Sequence, residues 1–282
     1  MQEPAGMGIL YLAFGRPYLS MALLSASTAR RSNPDLPICI VTNVVESLPE
    51  LAFWDFSRDK LVFINEETSM NRYVKTRLNV ITPFDKTIFV DCDTKVLGSL
   101  AIANLLLDYF DVCVRLNRRP QVSPGKGDRL VLDGVQVVEL PHWNSGVLLF
   151  RKNDRVSRFF GYWNQRFQEI GVPFDQVALV EAVFKSDARV LSLDDRWNDS
   201  DPVINRREWR SRVKIFHYAS NISDRLMSEI MSFDGLLSRT VTGEDSAVTL
   251  RFLRRKRESK RRKLGILRYA ALRVLWAVSS PT

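Results

Sequence analysis

TIFVDCDTKV, residues 87–96, decides how the rest of the chain is read. A short β-type run, Thr87 to Val90, leads directly into two carboxylates, Asp91 and Asp93, one residue apart. In extended backbone the side chains of residues i and i+2 leave the same face, so this pair can converge on one point at a strand end. Adjacent carboxylates repel unless a proton or cation lies between them, and a hard divalent cation with oxygen ligands is the simplest occupant. A solvated turn is the alternative that this stretch alone leaves open. Cys92 lies between the two carboxylates. Their negative charge disfavours its thiolate, and it reads as a small apolar filler directed into the core.

Upstream, GILYLAFG (8–15) reads as a buried first strand and 17–31 as a helix with Pro17 near its start and two arginines at its end. LPICIVTN (36–43) and KLVFI (60–64) read as strands, and 70–82 as one helix stopped by Pro83. After the Asp pair come a short helix at 100–110 and a strand at 111–116. This alternation predicts an α/β fold with a mainly parallel central sheet flanked by helices. Ligands of such sheets bind beyond the carboxyl ends of the strands, where Asp91 and Asp93 lie. Residues 119–134, rich in Pro, Gly and charge, read as an excursion at the mouth of the sheet. HWNSG (142–146) reads as a polar turn before the strand VLLF. Residues 155–170 form an amphipathic helix whose Phe159, Phe160, Trp163 and Phe167 recur at helical spacing and are expected in the core. Residues 173–185 are a helix with Asp175 at its N-cap, and 189–201 and 212–220 each hold a short strand.

The 282 residues, 45% of them hydrophobic, suffice for one large domain. No 18-residue apolar run is present, and the N-terminus lacks the basic start of a signal peptide. The three cysteines show no CxxC spacing, which predicts reduced thiols in a cytoplasmic setting, with neither a zinc site nor a disulfide framework. The net charge of +9 resides in the tail. Residues 251–282 hold 11 Lys/Arg and one acidic residue, leaving 30 basic and 31 acidic residues in 1–250. We therefore divide the chain into a body, 1–245, and a basic amphipathic C-terminal tail, 246–282. LGILRYAALRVLWAV (264–278) is too short and too charged to span a bilayer. Beside the polybasic run it suits an anionic membrane surface, contacted through 251–278, and so a peripheral place on the inner face of a membrane. A solvated or packed tail is the alternative. Nucleic acid ranks last, because the body carries no recognition motif for it.

Five motifs now stand in order: GILYLAFG; KTRLNVITPFDKTIFVDCDT, with Lys75 sixteen residues before Asp91; NSGV (144–147); FDQVAL (174–179); and a late histidine in KIFHY. Over roughly residues 8–220 the chain resembles the GT-A fold nucleotide-sugar glycosyltransferases, in particular the family 8 type that includes glycogenin and bacterial lipopolysaccharide galactosyltransferases. The resemblance implies a divalent metal, Mn2+ or Mg2+, held by Asp91, Asp93 and His217, and a UDP-sugar donor. It places Tyr11, Leu12, Ala13 and Phe14 around the base and ribose, with Lys75, Asp91, Cys92 and Asp93 also in the donor site. Asn144, Asp175 and Gln176 would serve the sugar and the reaction, and Gly146 would allow close backbone approach. Trp197 and Asn198 resemble a turn at the acceptor end, and His142 is a further candidate for the pocket lining. The acceptor implied is a glycan or glycolipid hydroxyl, and the stereochemistry implied is retention.

One departure stands out. The family follows its late histidine with glycine and Lys-Pro-Trp, whereas this chain reads HYASNISDRL, with Ser220 in place of the glycine and Arg225 off register. A relative with a different donor, or a catalytically weak binding module whose tail meets membrane or nucleic acid, is therefore the alternative. A haloacid dehalogenase-type phosphatase also carries DxD after a strand but wants Thr or Val where Lys95 stands.

Overall fold

The computed structural model describes residues 6–44, 54–55, 57–117, 130–171, 175–199, 213–218 and 228–233, and residues 251, 254, 255 and 258 of the tail. The continuation after Tyr218, with Ser220 and Arg225, and most of the 119–134 excursion and of the basic tail lie outside the described residues.

The strands are β1 (Met7–Ala13), β2 (Ile38–Thr42), β3 (Lys60–Phe63), β4 (Lys86–Val90), β5 (Thr94–Val96), β6 (Val112–Leu116), β7 (Val131–Leu132), β8 (Val135–Gln136), β9 (Trp143–Arg151), β10 (Val190–Leu193) and β11 (Ile215–His217). The helices of the body that bear on the site are α1 (Arg16–Ser32), α2 (Asn71–Lys75), α3 (Leu78–Ile81), α4 (Ile102–Tyr109), α5 (Asp154–Ile170) and α6 (Asp175–Lys185). Seven strands form one sheet in the order β10-β6-β9-β4-β1-β2-β3, and β5 with β11 forms a separate small sheet. The large sheet is parallel except at β9, which runs antiparallel to both β4 and β6.

Alternation along β1 builds both layers of core. Ile9, Tyr11 and Ala13 join one hydrophobic cluster, with α1 and the small sheet. Leu10, Leu12 and Phe14 join the other, with α5 and α6. Most of the aromatic stripe of α5 is core: Phe159, Phe160 and Trp163 are buried, Phe167 is only half-buried against the same cluster, and Phe160 meets the Phe150 ring edge-on at 5.0 Å.

Two local expectations need correction. Residues 70–82 form two short helices, α2 and α3, rather than one. Thr76 Oγ1 donates back to the Tyr73 carbonyl at 2.7 Å and accepts from Asn164 Nδ2 at 2.7 Å, which competes with helix continuation. HWNSG is not a turn before a strand, because β9 already begins at Trp143. Its pairing with β6 shifts, however. Val114 faces Leu148 while Arg115 faces Asn144, so residues 145–147 bulge away from β6.

β1 leads through α1 to β2 on one side, while β4 pairs with β1 on the other. The order in which strands join the sheet thus reverses at β1, and the crevice beyond the carboxyl ends of β1 and β4 is where an α/β sheet offers a binding site.

Candidate functional site

The crevice opens into a cavity of about 560 Å³. Asp91 and Asp93 lie at its wall because β4 ends there. Asp91 N–H donates to the Gly146 carbonyl at 2.8 Å, and the Asp91 carbonyl then accepts from Thr94 Oγ1 at 2.8 Å, closing a turn into β5. β5 pairs antiparallel with β11 so that His217 lies opposite Thr94. Tyr218 N–H donates to the Asp93 carbonyl at 2.8 Å, locking that register. The sheet pairing therefore delivers the imidazole to the Asp pair.

His217 Nε2 lies 3.0 Å from Asp93 Oδ1 and 3.9 Å from Asp91 Oδ2. One ligand atom from each of the three residues can be chosen so that all lie within 4.8 Å of one another. Donors to a single hard cation sit roughly 2.0–2.6 Å from it, hence no more than about 5 Å apart, and the three residues meet that limit. Gly146 forms the floor. A Cβ there would stand 2.6 Å from His217 Cε1 and 2.9 Å from Asp91 Oδ2, so the backbone approaches the cluster as closely as glycine allows.

Lys75 lies behind the pair. Its Nζ donates to Asp91 Oδ1 at 2.8 Å and stands 5.0 Å above the Phe89 ring. Burial opposes its charge, but Asp91, Asp175 and Asp93 outweigh that and raise its pKa, so the ammonium persists in the cavity wall. On the far side, Ser145 Oγ donates to Asp175 Oδ2 at 2.6 Å, and the Asp175 carbonyl accepts from Trp163 Nε1 at 2.8 Å. Gln176 lines the cavity and its Oε1 accepts from Asn117 Nδ2 at 3.1 Å.

The fold brings Leu12, Lys75, Asp91, Cys92 and Asp93 to one cavity, together with Asp175, Gln176 and His217. Cys92 is buried and its Sγ donates to the Leu12 carbonyl at 3.1 Å. Tyr11, Ala13 and Phe14 are fully buried in the two cores and do not line the cavity. Burial raises the Tyr11 phenol pKa, the Ser25 hydrogen bond working the other way. Asn144 does not line it either. His142 is buried, with Nε2 2.9 Å from the Val137 carbonyl, and Trp197 and Asn198 are buried as well. The sequence reading passed over Ser145, and also Thr68, Ser69 and Asn71, which line the cavity with Arg72. Ser145 stood inside the NSG motif and was legible there. Thr68 and Ser69 sit in a polar connection with no periodic signal, and Asn71 opens α2.

Solved structures match this architecture. The galactosyltransferase LgtC in complex with donor and acceptor sugar analogues is 16% identical over 84% of this chain and 97% of its own, with a TM-score of 0.53. The bifunctional glycosyltransferase WbbM in its apo form is 15% identical over 83% of this chain and 50% of its own, with a TM-score of 0.53. The chain has the GT-A fold. An active-site mutant of LgtC superposes on this GT-A chain equally well, with a TM-score of 0.53 at 15% identity. No protein-family model and no curated protein matches the sequence. Within the GT-A framework, Asp91, Asp93 and His217 could together hold a divalent cation, with the Lys75 ammonium beside them and Ser145, Asp175 and Gln176 in the same polar cavity.

Proposed function

We propose that this chain is a metal-dependent glycosyltransferase that moves a sugar from a UDP-sugar to a hydroxyl of a glycan or glycolipid, with retention. The observation that carries the reading is the convergence of Asp91, Asp93 and His217 on one point of the cavity, with Lys75 behind them. Asp91, Asp93 and His217 would hold Mn2+ or Mg2+, which supplies Lewis-acid neutralisation of a leaving diphosphate when bound. Lys75 orients Asp91 through its hydrogen bond and adds its own positive charge to the wall that a diphosphate would meet. Leu12 and the neighbouring backbone of β1 would border the nucleoside. Asp175 would accept from sugar hydroxyls and Gln176 would hydrogen-bond them as well, with Ser145 fixing the Asp175 carboxylate. Retention rests on the resemblance in motif order.

The body, 1–245, would be the catalytic unit, and 246–282 a peripheral anchor to an anionic membrane on its cytoplasmic face. No helix among the described residues is long and apolar enough to cross a membrane. The test is a panel of nucleotide-sugars with Mn2+ and a readout of free UDP. Release from one donor is expected, and it should disappear, with metal-dependent UDP binding, in Asp91→Ala and Asp93→Ala. UDP binding without release from any donor would favour the binding-module alternative that the departure after His217 raises. Deletion of residues 246–282 should remove binding to anionic vesicles and spare donor hydrolysis.

A further inference from the structure

The two nitrogens of His217 face different partners. Nε2 points at the Asp pair, while Nδ1 lies 2.9 Å from Asn198 Oδ1. Asn198 is completely buried, and its Nδ2 donates to Asn144 Oδ1 at 2.8 Å. Asn144 Oδ1 also accepts from the backbone N–H of Gly146 at 2.9 Å. A side-chain amide can be turned end for end, so its direction must be settled by a partner whose role is fixed. Gly146 N–H is such a partner, because a backbone amide only donates. It settles Asn144 as the acceptor, which makes Asn198 present its NH2 to Asn144 and its oxygen to His217. Nδ1 must then donate to Asn198, so Nε2, which faces Asp91 and Asp93, is the nitrogen placed to ligate a cation there.

We infer that Gly146 N–H, Asn144 and Asn198 form a polarised relay that selects the His217 tautomer able to ligate a cation through Nε2, making Asn144 and Asn198 positioning residues. This rests on the metal reading of the cluster. It gives buried Asn198 and Asn144, which does not line the cavity, a task distinct from contact with a sugar. Outer partners of ligating imidazoles of this kind set ring orientation and basicity, and their loss weakens metal affinity about 10–100-fold.

The test is Mn2+ affinity of the full chain by calorimetry in a double-mutant cycle. Asn144→Leu removes the anchor, so the Asn198 amide is free to turn its NH2 toward Nδ1, and affinity is expected to fall about tenfold or more. In an Asn198→Asp background both side-chain oxygens accept, so direction no longer matters and the same Asn144→Leu change is expected to cost nothing further. Equal losses in both backgrounds, or no loss in either, would overturn the relay. A second measurement needs no substitution. With Mg2+ bound, imidazole nitrogen shifts are expected to place the His217 proton on Nδ1. His142, the other histidine of the chain, should carry its proton on Nε2, facing the Val137 carbonyl. Two imidazoles both protonated at Nε2 would overturn the inference. Failure of the unmutated protein to bind Mn2+ would overturn the metal reading and this inference with it, whereas binding indifferent to Asn144→Leu overturns the relay alone.

Discussion

Gly146 is where the smallest side chain sets the largest constraint. An added methyl group would meet His217 Cε1 at 2.6 Å, Asn144 Oδ1 at 2.9 Å and Asp91 Oδ2 at 2.9 Å. Gly146→Ala is therefore expected to push ligand atoms apart, weakening Mn2+ binding by at least about tenfold, with a stability loss of about 1–3 kcal/mol from overpacking. A metal titration and a thermal melt read the two effects separately. Unchanged Mn2+ affinity would mean that the cluster tolerates a wider floor than its geometry implies. The sequence made this glycine recognisable as a place of close approach, because it stood in NSG after the Asp pair. Of the three atoms it must clear, Asn144 Oδ1 stands in the same motif, but Asp91 and His217 come from distant segments and were not legible as its neighbours.

At the scale of elements, Asp111 ties the ends of β6, β9 and β10 together. It is fully buried, accepts from Arg151 Nη2 at 2.8 Å and Asn153 Nδ2 at 2.9 Å, and accepts from the Arg189 backbone N–H at 3.0 Å. Burial alone would raise its pKa, but hydrogen bonds from Arg189, Arg151 and Asn153 prevail and hold the carboxyl well below the usual carboxylate range. A carboxylate depressed in the folded state stabilises it fully above its unfolded pKa, and that stabilisation is lost as pH falls through the folded value. Asp111→Asn should thus cost on the order of 2 kcal/mol at neutral pH and flatten the acid limb of a plot of Tm against pH. An acid limb identical to that of the unmutated protein would assign the acid sensitivity elsewhere. Elements with a long periodic signal, such as α1 and α5, were readable from the sequence because burial of one face dictates the pattern. β5 was not. It has three residues, and what makes it a strand is β11, far along the chain. The split of residues 70–82 into α2 and α3 likewise depends on Asn164, which no local window contains.

Across the whole molecule, the proposed metal site joins two bodies of structure. Asp91 and Asp93 follow the large sheet, while His217 belongs to the small one. A ligand that binds only the joined arrangement stabilises it by mass action. Added Mn2+ is therefore expected to slow amide hydrogen exchange at Leu97, His217 and Tyr218, whose N–H groups hold the small sheet and its flanks. Ile9 and Ile88 in the large sheet should change little. Uniform slowing, or none, would mean that the two sheets do not open separately.

The β5–β11 pairing has a consequence for how the protein is made. His217 and Asp93 are 124 positions apart, and every strand of the large sheet is complete by Leu193. During synthesis the acidic pair emerges first, so a nascent or prematurely terminated product ending past Leu193 but short of residue 217 has every strand of the large sheet yet lacks the imidazole. A cation held as proposed would thus be bound only by products that extend past His217, on the last strand among the described residues.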